Sequence, residues 1–232
     1  MQLSIDAKPC STADFQQLCD ILKIVQDYNP PANISIDDGF GNAVISTSAD
    51  FLSFPSILIA GSRQVGKTTL LHQLLRSALA VHPYCKIIIL QPSGLNEFEE
   101  FEPNAGIIYD ANECLDFLDG LSITDSTEKI FVAIDNYHFA MLSDHERFIS
   151  ALRRIIDFRV NAHIFMTTNL TGTTAVGDDI LQVFPTRIVF RLQDIIDSRR
   201  IVGTDEATTL EFQSEFLLYN AGEVIRYKNP QQ

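Results

Sequence analysis

The sequence has no run of about 18 apolar residues, so no helix that spans a membrane is expected. Its start, "MQLSIDAKPC", lacks a basic region followed by an apolar stretch and does not read as a secretory signal. Cysteine is scarce and scattered, at Cys10, Cys19, Cys85 and Cys114. No two of them form a CxxC pair, which argues against a zinc site and a disulfide framework and fits a reducing cytoplasm. Positive charge is also short. The 17 Lys and Arg face 30 Asp and Glu, for a formal net charge of −13. Nucleic-acid binding rests largely on cations meeting phosphates, so this balance counts against a DNA-gripping surface. The densest basic stretch, "RRIIDFR" (153–159), reads as a solvated helix face. Internal repeats and low-complexity tracts are absent.

What remains is a chain long enough for one sizeable α/β domain, 46% hydrophobic and 20% charged. Ser11 can cap a helix through "ADFQQLCDILKIVQDY", with Phe15, Leu18, Leu22 and Val25 on one face. "NPPAN" ends it, because proline cannot continue a helix. "ISIDDGFGNAVIS" reads as strand, Gly-rich turn, strand. From Phe54 apolar strands alternate with amphipathic helices. The strands are "SILIA", "KIIIL", "AGIIYD", "KIFVAID", "AHIFMTT" and "TRIVFRL"; the helices are "TTLLHQLLRSALAVH" and "DHERFISALRRIIDF". Continuous apolar strands of this kind predict a mainly parallel sheet covered on both faces. "EFLLYNAGEVIRYK" predicts an edge hairpin turning at Asn220, Ala221 and Gly222.

"GSRQVGKTT" (61–69) matches GxxxxGK[ST] directly after a strand and at the start of a helix. Glycines there let backbone N–H groups converge on a phosphate chain, and the helix N-terminus adds partial positive charge. Gly61, Ser62, Arg63, Gln64, Val65, Gly66, Lys67, Thr68 and Thr69 are therefore the expected nucleotide cradle, with Lys67 reaching the β- and γ-phosphates of ATP and Thr68 ligating Mg²⁺. Asp135 closes the apolar strand "KIFVAID" and is the expected second partner of the magnesium ion, its carboxylate holding the metal through water. The next residue is Asn136, an amide where hydrolysis usually needs a carboxylate. Asn can orient a water but cannot take its proton. His138 lies close in sequence and reads either as a structural histidine or as a substitute base.

Taken together, these stretches resemble the FtsK/SpoIIIE branch of P-loop ATPases. The resemblance covers residues 34 to the C-terminus. It rests on the lead-in and loop "GFGNAVISTSADFLSFPSILIAGSRQVGKTTLL", on "IFVAIDNYHFAM", on "NAHIFMTTN", and most specifically on "FPTRIVFRLQDIIDSRRIVG" with its "PTRI" and "DSR". It implies a RecA-like fold for residues 34–232, preceded by a helical lead-in or linker at residues 1–33. It also implies that Asn169 is a polar sensor and that Asp135 and Asn136 stand at the catalytic positions. Arg159 would be either an arginine finger toward a neighbouring subunit of a ring or a solvent-facing residue at a helix end. Gln64 departs from the family, which usually carries a third glycine there. Asn136 departs from its Glu or Asp. Within the family, "IDNYHFAM" is similar to the degenerate C-terminal ATPase domains of type VII secretion coupling proteins such as EssC and EccC. That likeness implies secreted protein substrates and neighbouring ATPase domains as partners, a place on the inner face of the cell membrane within a larger anchored protein, and weak or no hydrolysis in isolation. The alternative is the motor domain of a hexameric DNA translocase. "LNEFEEFEPN" (95–104) sets Phe98 and Phe101 among glutamates and reads either as core packing of one phenylalanine or as a partner-binding loop.

Overall fold

The computed structural model describes residues 36–37 and 43–44 and, from Phe51 onward, all but 96, 124–127, 138–143, 159–160, 170–175, 213–214 and 229–232. The helix expected over residues 13–28 lies outside the described residues. The chain divides into two units, Met1–Asp50 and Phe51–Gln232. In the first, β1 (Ile36–Asp37) and β2 (Ala43–Val44) pair antiparallel, Ile36 opposite Val44, as the strand–glycine–strand pattern predicts.

The second unit is an eight-stranded sheet flanked by helices. Its strands are β3 (Ser56–Ala60), β4 (Lys86–Leu90), β5 (Ala105–Ile108), β6 (Ile130–Ile134), β7 (Ala162–Thr168), β8 (Thr186–Phe190), β9 (Glu215–Asn220) and β10 (Glu223–Lys228). They lie in the order β10-β9-β8-β3-β7-β6-β4-β5. From β8 to β5 every pairing is parallel; β9 and β10 add antiparallel at one edge. The central strands β3, β6 and β7 are buried along their whole length, which explains why they read as unbroken apolar runs and not as alternations. The edge hairpin turns at Ala221 (φ 50°) and Gly222 (φ 92°), the paired left-handed conformation that matches the strand twist.

The helices are α1 (Lys67–Val81), α2 (Ala111–Ile123), α3 (His145–Phe158), α4 (Asp178–Val183) and α5 (Ile195–Val202). One face of the sheet carries Leu58, Ile88, Val132, Ile134 and Ile164 into a cluster with Leu115 and Leu118 of α2 and Leu152 and Ile155 of α3. The other face carries Ile57, Ile59, Ile87, Ile89, Phe131 and Phe165 beneath α1, whose Leu71, Leu74, Leu75 and Ala78 are buried. Phe131 stacks on His82, the C-terminal cap of α1, and on Phe165. Phe98 and Phe101 are both buried, packed on His72 of α1, so "LNEFEEFEPN" gives the core two rings where one was expected.

Candidate functional site

The sheet's topology builds the site. β7 separates the strand that leads into the glycine loop, β3, from β6, which ends at Asp135. The C-terminal ends of β3, β7 and β6 therefore deliver Gly61, Asn169 and Asp135 to one edge, where ligands bind open α/β sheets. The loop 61–66 turns sharply into α1. Gly66 sits at φ 101°, and no side chain caps the helix there, which leaves the first N–H groups of α1 for an anion. A Cβ on Gly61 would stand 2.8 Å from Phe190 Cβ, so only glycine lets the loop pass β8 this closely. Ser62 N–H donates to Arg191 O at 3.0 Å and pins the loop to the end of that strand. Val65 is buried; Arg63, Gln64 and Thr69 are exposed. Gln64 adopts φ 62°, the left-handed conformation for which glycine is the default residue. The departure from the family pattern at this position keeps the backbone geometry and carries its strain.

Lys67 is buried, and its Nζ donates to Ser62 O at 2.5 Å. Burial lowers its pKa to about 8; Asp135 opposes the shift and Arg63 reinforces it. Asp135 is fully buried, and burial raises its carboxyl to about 6. The Thr167 hydroxyl, donating to Asp135 Oδ1 at 2.6 Å, works against that rise, while the Glu97 carboxylate adds to it. Thr68 Oγ1 lies 3.5 Å from the same Oδ1. Asn136 sits in the left-handed region (φ 53°), which Asn tolerates better than most residues. Its backbone N–H donates to Thr167 Oγ1 (2.8 Å), its Nδ2 donates to Asp135 Oδ2 (2.7 Å), and its Oδ1 accepts from Asn169 Nδ2 (2.7 Å). Asp135, Asn136, Thr167 and Asn169 thus form one chain of hydrogen bonds across β6 and β7.

Of the residues singled out by sequence, Lys67, Thr68, Asp135, Asn136 and Asn169 converge. Arg159 and His138 lie outside the described residues. Sequence reasoning missed Thr167, the first of the two threonines that end β7. The donor set suits a magnesium–nucleotide. A hydroxyl and a carboxylate face each other, and a buried ammonium and a buried carboxyl are each held off their ordinary pKa by lost solvation, which a hydrated cation and a phosphate chain would restore. "PTRI" and "DSR" have structural work. Arg187 donates to Phe184 O, Ile201 O and Leu181 O (2.6–2.9 Å) and lies over Tyr219. Ser198 Oγ donates to Thr204 O and accepts from Ala207 N, and Arg199 pairs with Asp205.

This fold and edge-of-sheet loop define a RecA-like P-loop NTPase. The AAA domain family matches residues 53–174, more than half of the chain, and the chain belongs to that family. Comparison with curated protein sequences finds no match. Among solved structures, the pCW3 conjugation coupling protein TcpA, in its monomer form with ATPγS, is 17% identical with a TM-score of 0.63, over 86% of this chain and 70% of that one. The cytoplasmic domain of the Thermomonospora curvata type VII secretion ATPase EccC is 16% identical, TM-score 0.57, over 75% of this chain but 25% of its own. The genome packaging NTPase B204 of Sulfolobus turreted icosahedral virus 2, in complex with sulfate, is 14% identical, TM-score 0.60, over 78% and 98%. At these identities the likeness is one of fold, and the resemblance to FtsK/SpoIIIE-type ATPases holds at that level.

Proposed function

We propose that this chain binds Mg²⁺–ATP as the ATPase domain of a type VII secretion coupling protein, serving protein export and hydrolysing ATP slowly or not at all on its own. The observation that carries the nucleotide reading is the convergence of Lys67, Thr68 and Asp135 around an uncapped helix start. Lys67 would leave Ser62 O for the β- and γ-phosphates, and the N–H groups of the loop and first helical turn would hold the phosphate oxygens. Thr68 and Asp135 would hold the magnesium ion, which neutralises phosphate charge when bound. Asn136 and Asn169 can orient water, but no amide removes its proton. Lys67→Ala is expected to weaken Mg²⁺–ATP binding about 10- to 100-fold, the loss of a charge-assisted contact of roughly 1.5–3 kcal/mol. Calorimetry reads this directly, and wild-type protein that takes up no ATP contradicts the proposal.

The secretion reading is supported by the amide at position 136, by the acidic balance of −13 and by the fold shared with EccC. Its partners would be secreted protein segments and neighbouring ATPase domains of a larger assembly on the inner face of the membrane. A DNA-translocating motor is the second reading, favoured by the match to nearly the whole length of the genome packaging NTPase B204.

A further inference from the structure

Gln91 is a buried polar residue for which the nucleotide cradle gives no account. It follows β4 directly and is fully buried, yet neither Oε1 nor Nε2 has a hydrogen-bond partner among the described residues. An amide left so in a protein interior is costly and calls for an explanation. Its backbone is tightly fixed. Gln91 N–H donates to Ile108 O at 2.8 Å, Asp135 N–H donates to Leu90 O at 3.0 Å, and Gly94 N–H closes a turn onto Gln91 O at 3.0 Å.

The register places this amide. Leu90 pairs with Ile134 and Ile134 with Met166, so the next level of the sheet holds Gln91, Asp135 and Thr167 side by side. Alternation along β4 puts Gln91 with Ile87 and Ile89, on the face beneath α1, the same face as Asp135 and Thr167. Neighbouring strands run about 4.8 Å apart, so the Gln91 side chain stands one strand away from the Asp135 carboxylate. Six residues on from Gln91, the Glu97 carboxylate acts on both Asp135 and His72.

We infer that Gln91 holds the water that attacks the terminal phosphoryl group, taking over with Asn136 the water-orienting part of hydrolysis at a site that lacks a carboxylate base. The inference rests on the Mg²⁺–ATP reading of the site. Gln91 Oε1 accepts one hydrogen bond from the water and Asn136 offers a second polar contact. The water oxygen forms the bond to the γ-phosphorus, the bond from that phosphorus to the β–γ bridging oxygen breaks, and ADP leaves with the bond's electron pair. The water's proton passes to a phosphoryl oxygen, because neither amide accepts it. The site can therefore complete the reaction but only slowly.

The test compares wild type with Gln91→Met, which keeps the side chain's length and removes both polar atoms. Calorimetry measures the affinity for Mg²⁺–ADP alone and for Mg²⁺–ADP with aluminium fluoride, a mimic of the transferring phosphoryl group with its water. The expected result is unchanged Mg²⁺–ADP affinity and a 10- to 100-fold loss for the aluminium fluoride complex. Equal affinities for both, or an equal loss in both, overturns the role. Wild type that fails to bind Mg²⁺–ADP sinks the nucleotide reading and this inference with it. A second measurement needs no variant: in ¹⁵N-labelled wild type, the Gln91 side-chain amide signal is expected to shift when aluminium fluoride joins Mg²⁺–ADP. A signal that does not move overturns the inference.

Discussion

In the proposed function, Asp135 and Asn136 would divide binding from chemistry between two neighbours. Asp135 is buried with its carboxyl raised to about 6, and Asn136 donates a hydrogen bond to it. A second carboxylate at position 136 would place two like charges where one already lacks solvation. Holding a proton more tightly when folded than when unfolded means that protonation favours the folded state. Without nucleotide, the Asp135 contribution therefore worsens as pH rises from about 4 and reaches its full cost, about 3 kcal/mol, above about 6. Asp135→Asn removes that cost. In thermal melts without nucleotide the variant is expected to exceed wild type by several degrees at pH 7.5, with the gap closing toward pH 4. A variant no more stable than wild type at pH 7.5 contradicts the buried, undersolvated carboxylate. Lys67, Thr68 and Asp135 were legible in the sequence because phosphate and magnesium chemistry demands fixed residue types at fixed spacing. Thr167 and Gln91 were not, because their proximity to Asp135 comes from strand register between segments far apart in the chain.

Among the elements, the strands and the helices α1 and α3 follow from hydrophobic pattern, whereas α2, α4 and α5 are not apparent in it. α2 carries Gly120 and four acidic or amide side chains in its 13 residues, and its start is fixed by Asp110, whose Oδ1 accepts from Asn112 N and Glu113 N. α4 and α5 are short, and tertiary contacts hold them. The stretch most specific to the family, "PTRI" with "DSR", proved to be the brace for those two helices and not part of the nucleotide cradle. Arg187 gathers carbonyls from the ends of α4 and α5, a favourable place for a cation near two helix C-termini. Arg187→Met is expected to cost about 2–4 kcal/mol, since three carbonyls lose a charged donor. Arg187→Lys should recover little of it, because one ammonium cannot reproduce a planar fork. Urea unfolding measures both; a change below about 0.5 kcal/mol would show that the brace contributes nothing.

For the whole molecule, charge and chemistry point the same way. A chain with 17 basic and 30 acidic residues has little with which to displace counterions from a duplex, so DNA binding is expected to be weak and non-specific at about 150 mM salt. Submicromolar affinity with a steep salt dependence would revive the DNA motor. The central claim is that a complete nucleotide cradle is joined to a site without a proton acceptor, and ATP turnover by the wild-type chain under saturating Mg²⁺–ATP tests it most directly. A positioned base contributes about 10²–10⁴-fold, so the rate should fall from the roughly 10 per second of an ordinary enzyme to about 0.1 per second or less. Turnover of several ATP per second, abolished by Lys67→Ala, would mean that the chain has a working base and would contradict the claim.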